Sequence, residues 1–378
     1  MKTPLRWVSV HDIHLFHNNT PVEHTLNGLR QMFPDTAETG ELDVIFVPGD
    51  MFDRAVMFND PRIIQVAIWW REFRAMCARR KIILRVLEGT PSHEWQQSRM
   101  LEMLNTLGDI KGLDFEYVDT LRIEYIEALD IHVLYVPDEW RSDLDQVWKE
   151  VQALLQHHQL EQVDYCVMHG AFEYQLPEHV GKGITHLQSR YESITRYHIL
   201  IGHVHTATFR GKVIASGSFD RLKHKEEEPK GFSKGVQYAD GSFEHTFVEN
   251  PHAMVYKTIR CRNSDLEATL KEIDRVCHSL PDGSFVRIEA DDTHPIRNAL
   301  KTLVKTYPTL HWDAKSTKNR DVDQETLIEL RQNYQPMAIR PDNITEILLG
   351  RLSAEGLTTP QCDRAREILN ERLARSHR

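Results

Sequence analysis

The 378-residue sequence has no long apolar run, only five cysteines, and no surplus of positive charge. Each shortage removes a class of function. A bilayer-spanning helix needs about twenty consecutive apolar residues, and no such run exists. Met1-Lys2-Thr3-Pro4 leads straight into a strand pattern, so a signal peptide is not expected either. Cys77, Cys166, Cys261, Cys277 and Cys362 are scattered, odd in number and nowhere spaced C-x-x-C. That argues against a disulfide framework and fits a reducing, cytoplasmic setting. The formal net charge of −10 argues against a surface built as a whole to attract nucleic acid. Any phosphate binding has to come from local patches or from metal charge. With 27% charged and 40% hydrophobic residues the chain has the profile of a soluble globular protein of two or three domains.

Short apolar strands alternate with amphipathic helices, and polar residues stand at the strand exits. A strand over residues 5–10 runs into His11-Asp12-Ile13-His14, where Asp12 and His14 share one face. A helix over 20–33 follows, then a strand over 42–47 ending in Pro48-Gly49-Asp50, where glycine permits a tight turn. A helix over 62–80 carries Trp69 and Trp70, residues of a core or subunit interface. The strand over 81–87 opens into Glu88-Gly89-Thr90-Pro91-Ser92-His93-Glu94, an imidazole followed by an acid. After a helix over 98–107, an alternating β-rich stretch over 115–136 suits strands that cross to a second sheet. A helix over 144–157 precedes a strand over 163–168 ending in His169-Gly170. A strand over 198–201 ends in Gly202-His203-Val204-His205, and a hairpin turns at Gly211-Lys212. Two imidazoles two residues apart suit a divalent metal or a metal pair. His17, His157, His158, His198 and His224 are expected to be ordinary loop histidines at the surface.

This alternation implies an α/β layered fold with its site at the carboxyl edge of the sheet. The ordered set Asp12-x-His14, Gly49-Asp50, His93-Glu94, His169-Gly170 and Gly202-His203-x-His205 resembles the calcineurin-like metallophosphoesterases over about the first 250 residues. The resemblance implies a four-layer α/β/β/α sandwich holding two divalent ions, Mn²⁺ foremost. It makes Asp50 the bridging ligand, joins Asp12, His14 and His205 at one metal, and puts His169 and His203 at the other. His93 would then stabilise or protonate the leaving oxygen, held charged and oriented by Glu94. One departure stands out: the family's Gly-Asn-His motif is here Gly89-Thr90-Pro91-Ser92-His93, without the asparagine that ligates the second metal. Ser92 is the nearest oxygen donor in sequence, and a water is the alternative.

Downstream, Ser216-Gly217, Arg221, the acids Glu226-Glu227-Glu228 and Lys230-Gly231-Phe232 resemble the nuclease subunit of SbcCD-type DNA repair complexes. The resemblance implies a DNA exonuclease and endonuclease, with Arg221 and Lys230 as DNA contacts. Its expected partners are DNA, a second copy of the chain and an SbcC-type coiled-coil ABC ATPase, with no membrane. Its setting would be the cytoplasm of a bacterial cell or a phage-infected host. Two other functions stay open: a small-substrate phosphatase or cyclic-nucleotide phosphodiesterase, and a catalytically weak DNA-binding scaffold.

Residues 251–316 read β-α-β-α-β, a small α+β capping domain whose first helix is opened by Ser264 with Glu267 as a capping box. Residues 317–340, with Lys318 and Arg320 following Lys315, read as a polar linker. Two amphipathic helices over 343–352 and 360–375 bury too little by themselves and are expected to dock on the ATPase.

Overall fold

The computed structural model describes residues 4–57, 59–106, 110–138, 143–176, 185–262 and 265–317, together with 349, 358, 361 and 363–366. β1 (Leu5–Ser9), β2 (Val44–Pro48) and β3 (Ile83–Leu87) are short apolar runs buried on almost every residue. Such runs belong to strands covered on both faces. With β4 (Phe115–Val118), β11 (Gly231–Gln237) and β12 (Phe243–Glu249) they form one six-stranded sheet, in the order β12-β11-β1-β2-β3-β4. β5 (Arg122–Ile126), β6 (Ile131–Val136), β7 (Val163–His169), β8 (Thr195–Gly202), β9 (Thr208–Arg210) and β10 (Val213–Ala215) form a second, in the order β5-β6-β7-β8-β10-β9. The β-rich stretch does change sheets, between β4 and β5.

Side-chain alternation makes the layers. In β2, Ile45 and Val47 pack outward with helices α1 (Val22–Met32), α2 (Ile63–Arg80) and α3 (Arg99–Thr106). Val44 and Phe46 point the other way, into the layer between the sheets, where they meet Tyr165, Val167 and Leu200. Beyond the second sheet, Ile199 and Ile201 pack under α4 (Leu144–His157) and α5 (Gln188–Ile194). The result is the α/β/β/α sandwich. Trp69 and Trp70 both lie in its first core, and the Trp70 indole donates to Leu101 O at 3.1 Å. The expected surface site for His198 and His224 is wrong. His198 faces the inter-sheet layer beside Trp7, with ring centroids 5.6 Å apart, because it shares strand parity with Leu200. His224 is buried against the Tyr256 ring. His17 is half-buried, while His157 and His158 are exposed.

The small unit holds three parallel strands in the order β13-β14-β15 (Tyr256–Cys261, Phe285–Ala290, His311–Ser316). Helices α6 (Leu266–Cys277) and α7 (Ile296–Thr306) close its core around Ile273, Val286, Ile288 and Ile296. The cap of α6 is Asp265, whose carboxylate accepts from Glu267 N at 3.0 Å. The expected Ser264 cap lies outside the described residues. Residues Met1–Ser316 form one compact unit and Thr317–Arg378 another. The linker, with Lys318 and Arg320, and nearly all of both terminal helices lie outside the described residues. No helix among the described residues is long and apolar enough to cross a membrane.

Candidate metal centre

β1, β2 and β3 run parallel side by side, as do β7 and β8, so in each sheet the carboxyl ends open along one edge. Two contacts join the edges. His169, ending β7, places Nδ1 2.8 Å from Pro48 O at the end of β2. Gly202, ending β8, comes so near that a Cβ there would stand 2.2 Å from the same carbonyl oxygen. Only glycine admits that approach.

Beyond the strand ends the backbone turns sharply. Asp12, His14, Asp50 and His203 all adopt positive φ, at 47°, 51°, 49° and 102°. Such conformations cost non-glycine residues roughly 1–3 kcal/mol each and persist where surrounding contacts hold them. Here His14 N donates to Asp50 O at 3.0 Å, and Asp12 accepts from His203 N at 2.9 and 3.1 Å.

Three groups of side chains converge closely enough to hold an ion: Asp12, His14 and His205; Asp50, His169 and His203; and His14, Asp50 and His93. Asp50, a member of the second set, also reaches the first, with Oδ2 3.6 Å from His14 Nε2 and Oδ1 3.4 Å from His169 Nε2. All six residues of the first two sets were nominated from the sequence. Their orienting partners were not. His14 Nδ1 lies 3.1 Å from Asp53 Oδ1, and His205 Nδ1 lies 2.9 Å from Glu226 Oε1. With Nδ1 held by a carboxylate, each ring turns Nε2 toward the site, as metal-ligating histidines commonly do. The two Nε2 atoms then stand 3.1 Å apart beside the Asp12 carboxylate. Neutral imidazoles would set lone pair against lone pair there, so the donor set fits a divalent cation.

Electrostatics divide the site. Burial pushes Asp50 upward, yet His169, His93 and His14 hold it well below the usual carboxylate range. Burial, with His169 nearby, brings His203 down to about 4, which keeps a lone pair free. Burial opposes charge on His169 too, but Asp50 and Asp12 raise it to about 10. An ion taking Nε2 must therefore displace a proton. Burial raises Glu226, yet His205 draws it down to about 2, so this partner stays anionic.

The third motif differs from expectation. Ser92 is exposed, and the hydroxyl that enters the site is that of Thr90, two residues earlier. Glu94 does not support His93. It is fully buried, accepting from Phe52 N at 2.8 Å, Gly89 N at 2.7 Å and Ser98 Oγ at 3.1 Å. The turn sends consecutive side chains in opposite directions, so Glu94 braces the loops after β2 and β3 from beneath. His93 stays half-exposed, with Nδ1 3.2 Å from Asp50 Oδ2. That bond raises its pKa.

The two proposed DNA contacts turn inward. Lys230 is buried, its ammonium 2.8 Å from both His205 O and Glu228 Oε1. Arg221 donates to Glu228 O at 3.1 Å and Met254 O at 3.2 Å. Together with Asp220, which accepts from Met254 N at 2.6 Å, this segment ties the small unit to the sandwich. An ammonium so enclosed by its own chain is not presented to a phosphate, whereas Arg221 is only half-buried.

Fold and site together define an α/β/β/α sandwich with a candidate metal centre at the facing sheet edges. The sequence matches no protein-family model and none of the curated proteins. Among solved structures it is similar to TT1561 of Thermus thermophilus, at 11% identity and a TM-score of 0.37, over 65% of this chain and 99% of that one. A second solved structure is similar at the same identity and TM-score, over 65% of this chain and 100% of that one.

Proposed function

We propose that this chain is a two-metal phosphodiesterase of the calcineurin-like type, working as the SbcD-type nuclease subunit beside a coiled-coil ABC ATPase. The observation that carries the chemistry is Asp50, a buried carboxylate that reaches two imidazole-bearing ligand sets. When bound, two divalent ions, Mn²⁺ foremost, would neutralise phosphate charge and supply a hydroxide nucleophile near neutral pH. Asp12, His14 and His205 would hold one, His169 and His203 the other, and Asp50 both. Asp53 and Glu226 fix the rings of His14 and His205. His93 stands half-exposed on Asp50, which favours its protonated form, so it can donate a proton to a departing oxygen.

DNA as the substrate is supported by the ordered string from Ser216 to Phe232 and by the α+β unit that follows it. The test is Asp50→Asn in parallel assays: Mn²⁺-dependent degradation of linear duplex DNA, and hydrolysis of a chromogenic phosphodiester. The intact chain is expected to act on both, the variant on neither. Activity on the chromogenic ester alone would make the protein a small-substrate phosphodiesterase. Recovery of Asp50→Asn by excess Mn²⁺ would remove the shared-ligand role.

A further inference from the structure

We propose that the Thr90 hydroxyl is a direct ligand of the cation held by Asp50, His169 and His203, so that a neutral oxygen completes that half of the centre. The inference rests on the dinuclear assignment and deepens it.

The loop is built to deliver this atom. Gly89 lies so close to Asp50 that a Cβ would come within 2.1 Å of Asp50 N, which presses the backbone of the third motif against the second. Thr90 N then donates to Asp50 Oδ1 at 2.6 Å and fixes where its side chain begins. From there Oγ1 stands 3.2 Å from Asp50 Oδ2, 3.1 Å from His169 Nε2 and 3.2 Å from His203 Nδ1. His169 Nε2 and Asp50 Oδ1 are 3.4 Å apart. Donors bound at about 2.0–2.2 Å to one ion stand roughly 3.0 Å apart at right angles and about 3.4 Å apart in a tetrahedron. The separations of Oγ1 from His169 Nε2 and His203 Nδ1, and of His169 Nε2 from Asp50 Oδ1, fall within that range, as edges of one coordination shell would.

Hydrogen-bond chemistry points the same way. A hydroxyl has one proton to give. His169 Nδ1 faces the Pro48 carbonyl, which can only accept, so Nδ1 keeps its hydrogen and Nε2, the nitrogen turned toward Thr90, is the one left for a cation. The carboxylate of Asp50 is a further acceptor, and His203 Nδ1 stands 3.2 Å from the same hydroxyl. A cation among these atoms satisfies them together. Because a hydroxyl is a weaker donor than a carboxylate or imidazole, this half should hold its ion less tightly than the Asp12–His14–His205 half.

The experiment is calorimetric titration of Mn²⁺ into the metal-free full-length chain and its Thr90→Val and Thr90→Ser variants, without substrate. The intact chain should take up two ions in unequal steps, and Thr90→Ser should keep both. Thr90→Val, close in shape but without the oxygen, should weaken the looser step by at least about tenfold and leave the tighter one unchanged. Circular dichroism checks the fold, and Thr90→Ala replaces the valine variant if that one unfolds. Two steps of unaltered affinity in the folded hydroxyl-less variant would overturn the Thr90 assignment and leave the dinuclear centre standing. No Mn²⁺ uptake by the intact chain would overturn both.

Discussion

A histidine's neighbours in space, rather than in sequence, decide what its ring can do. His93 is followed by Glu94, yet its Nδ1 meets Asp50 while Glu94 supports the loops from below. Its half-exposed position suits proton donation, and His93→Ala is expected to lower turnover by roughly 10²–10⁴-fold. Bound Mn²⁺, measured by atomic absorption, should be unchanged. Loss of an ion in that variant would instead make His93 a ligand through its grouping with His14 and Asp50. Sequence spacing identified the buried residues at strand exits because each sits within a few positions of an apolar run. It could not identify Asp53 or Glu226 as their orienting partners. Asp53 follows Asp50 by three residues and Glu226 heads a run of three acids, a signal no stronger than that of any surface acid.

At the level of elements, the sandwich carries a charged contact in a largely apolar layer between its sheets. β3 alternates Ile83, Arg85 and Leu87 toward the second sheet, so a guanidinium lies where apolar side chains meet. Arg85 reaches Glu124 of β5 from Nε at 3.1 and 3.0 Å and from Nη2 at 2.6 Å, while Tyr135 donates to the same carboxylate at 2.8 Å. Burial opposes charge on Arg85, yet Glu124 keeps it firmly protonated. Glu124→Ala would leave that charge buried without this partner, at a cost of about 3–5 kcal/mol. A clear fall in the urea midpoint of unfolding is expected; a midpoint equal to that of the intact chain would show that Asp114, 2.8 Å from the guanidinium, is partner enough. Strand periodicity identified β3 as an element. Whether Arg85 faced solvent or the second sheet was settled only when the sheets packed.

For the molecule as a whole, Met1–Ser316 gathers both sheets, the candidate metal centre and the small α+β unit into one compact body. Every residue assigned a role in the centre lies inside it. A chain truncated after Ser316 is therefore expected to keep a cooperative thermal unfolding transition, its Mn²⁺ binding and its hydrolysis of a small phosphodiester. If residues 341–378 dock on a coiled-coil ATPase, as their amphipathic pattern suggests, the truncation should abolish co-purification with it. A truncated chain that unfolds or aggregates would return those helices to the protein's own core.

The sequence by itself determined the alternation of strands and helices, the layered class, and which polar residues stand at strand exits. Those are local properties, since burial of a short run and period-two alternation are written in neighbouring residues. Tertiary structure decided the rest: that Thr90 rather than Ser92 supplies the hydroxyl, that Glu94 faces away from His93, and that Lys230 and Arg221 fasten the chain to itself. Each of these depends on the direction of a side chain after a tight turn, or on a partner 25 or more residues away. The physical reason is that a turn fixes direction only once the strands on either side are packed. At this site the two sheet edges meet through His169 and Gly202 against Pro48, far apart in sequence and adjacent only in the fold.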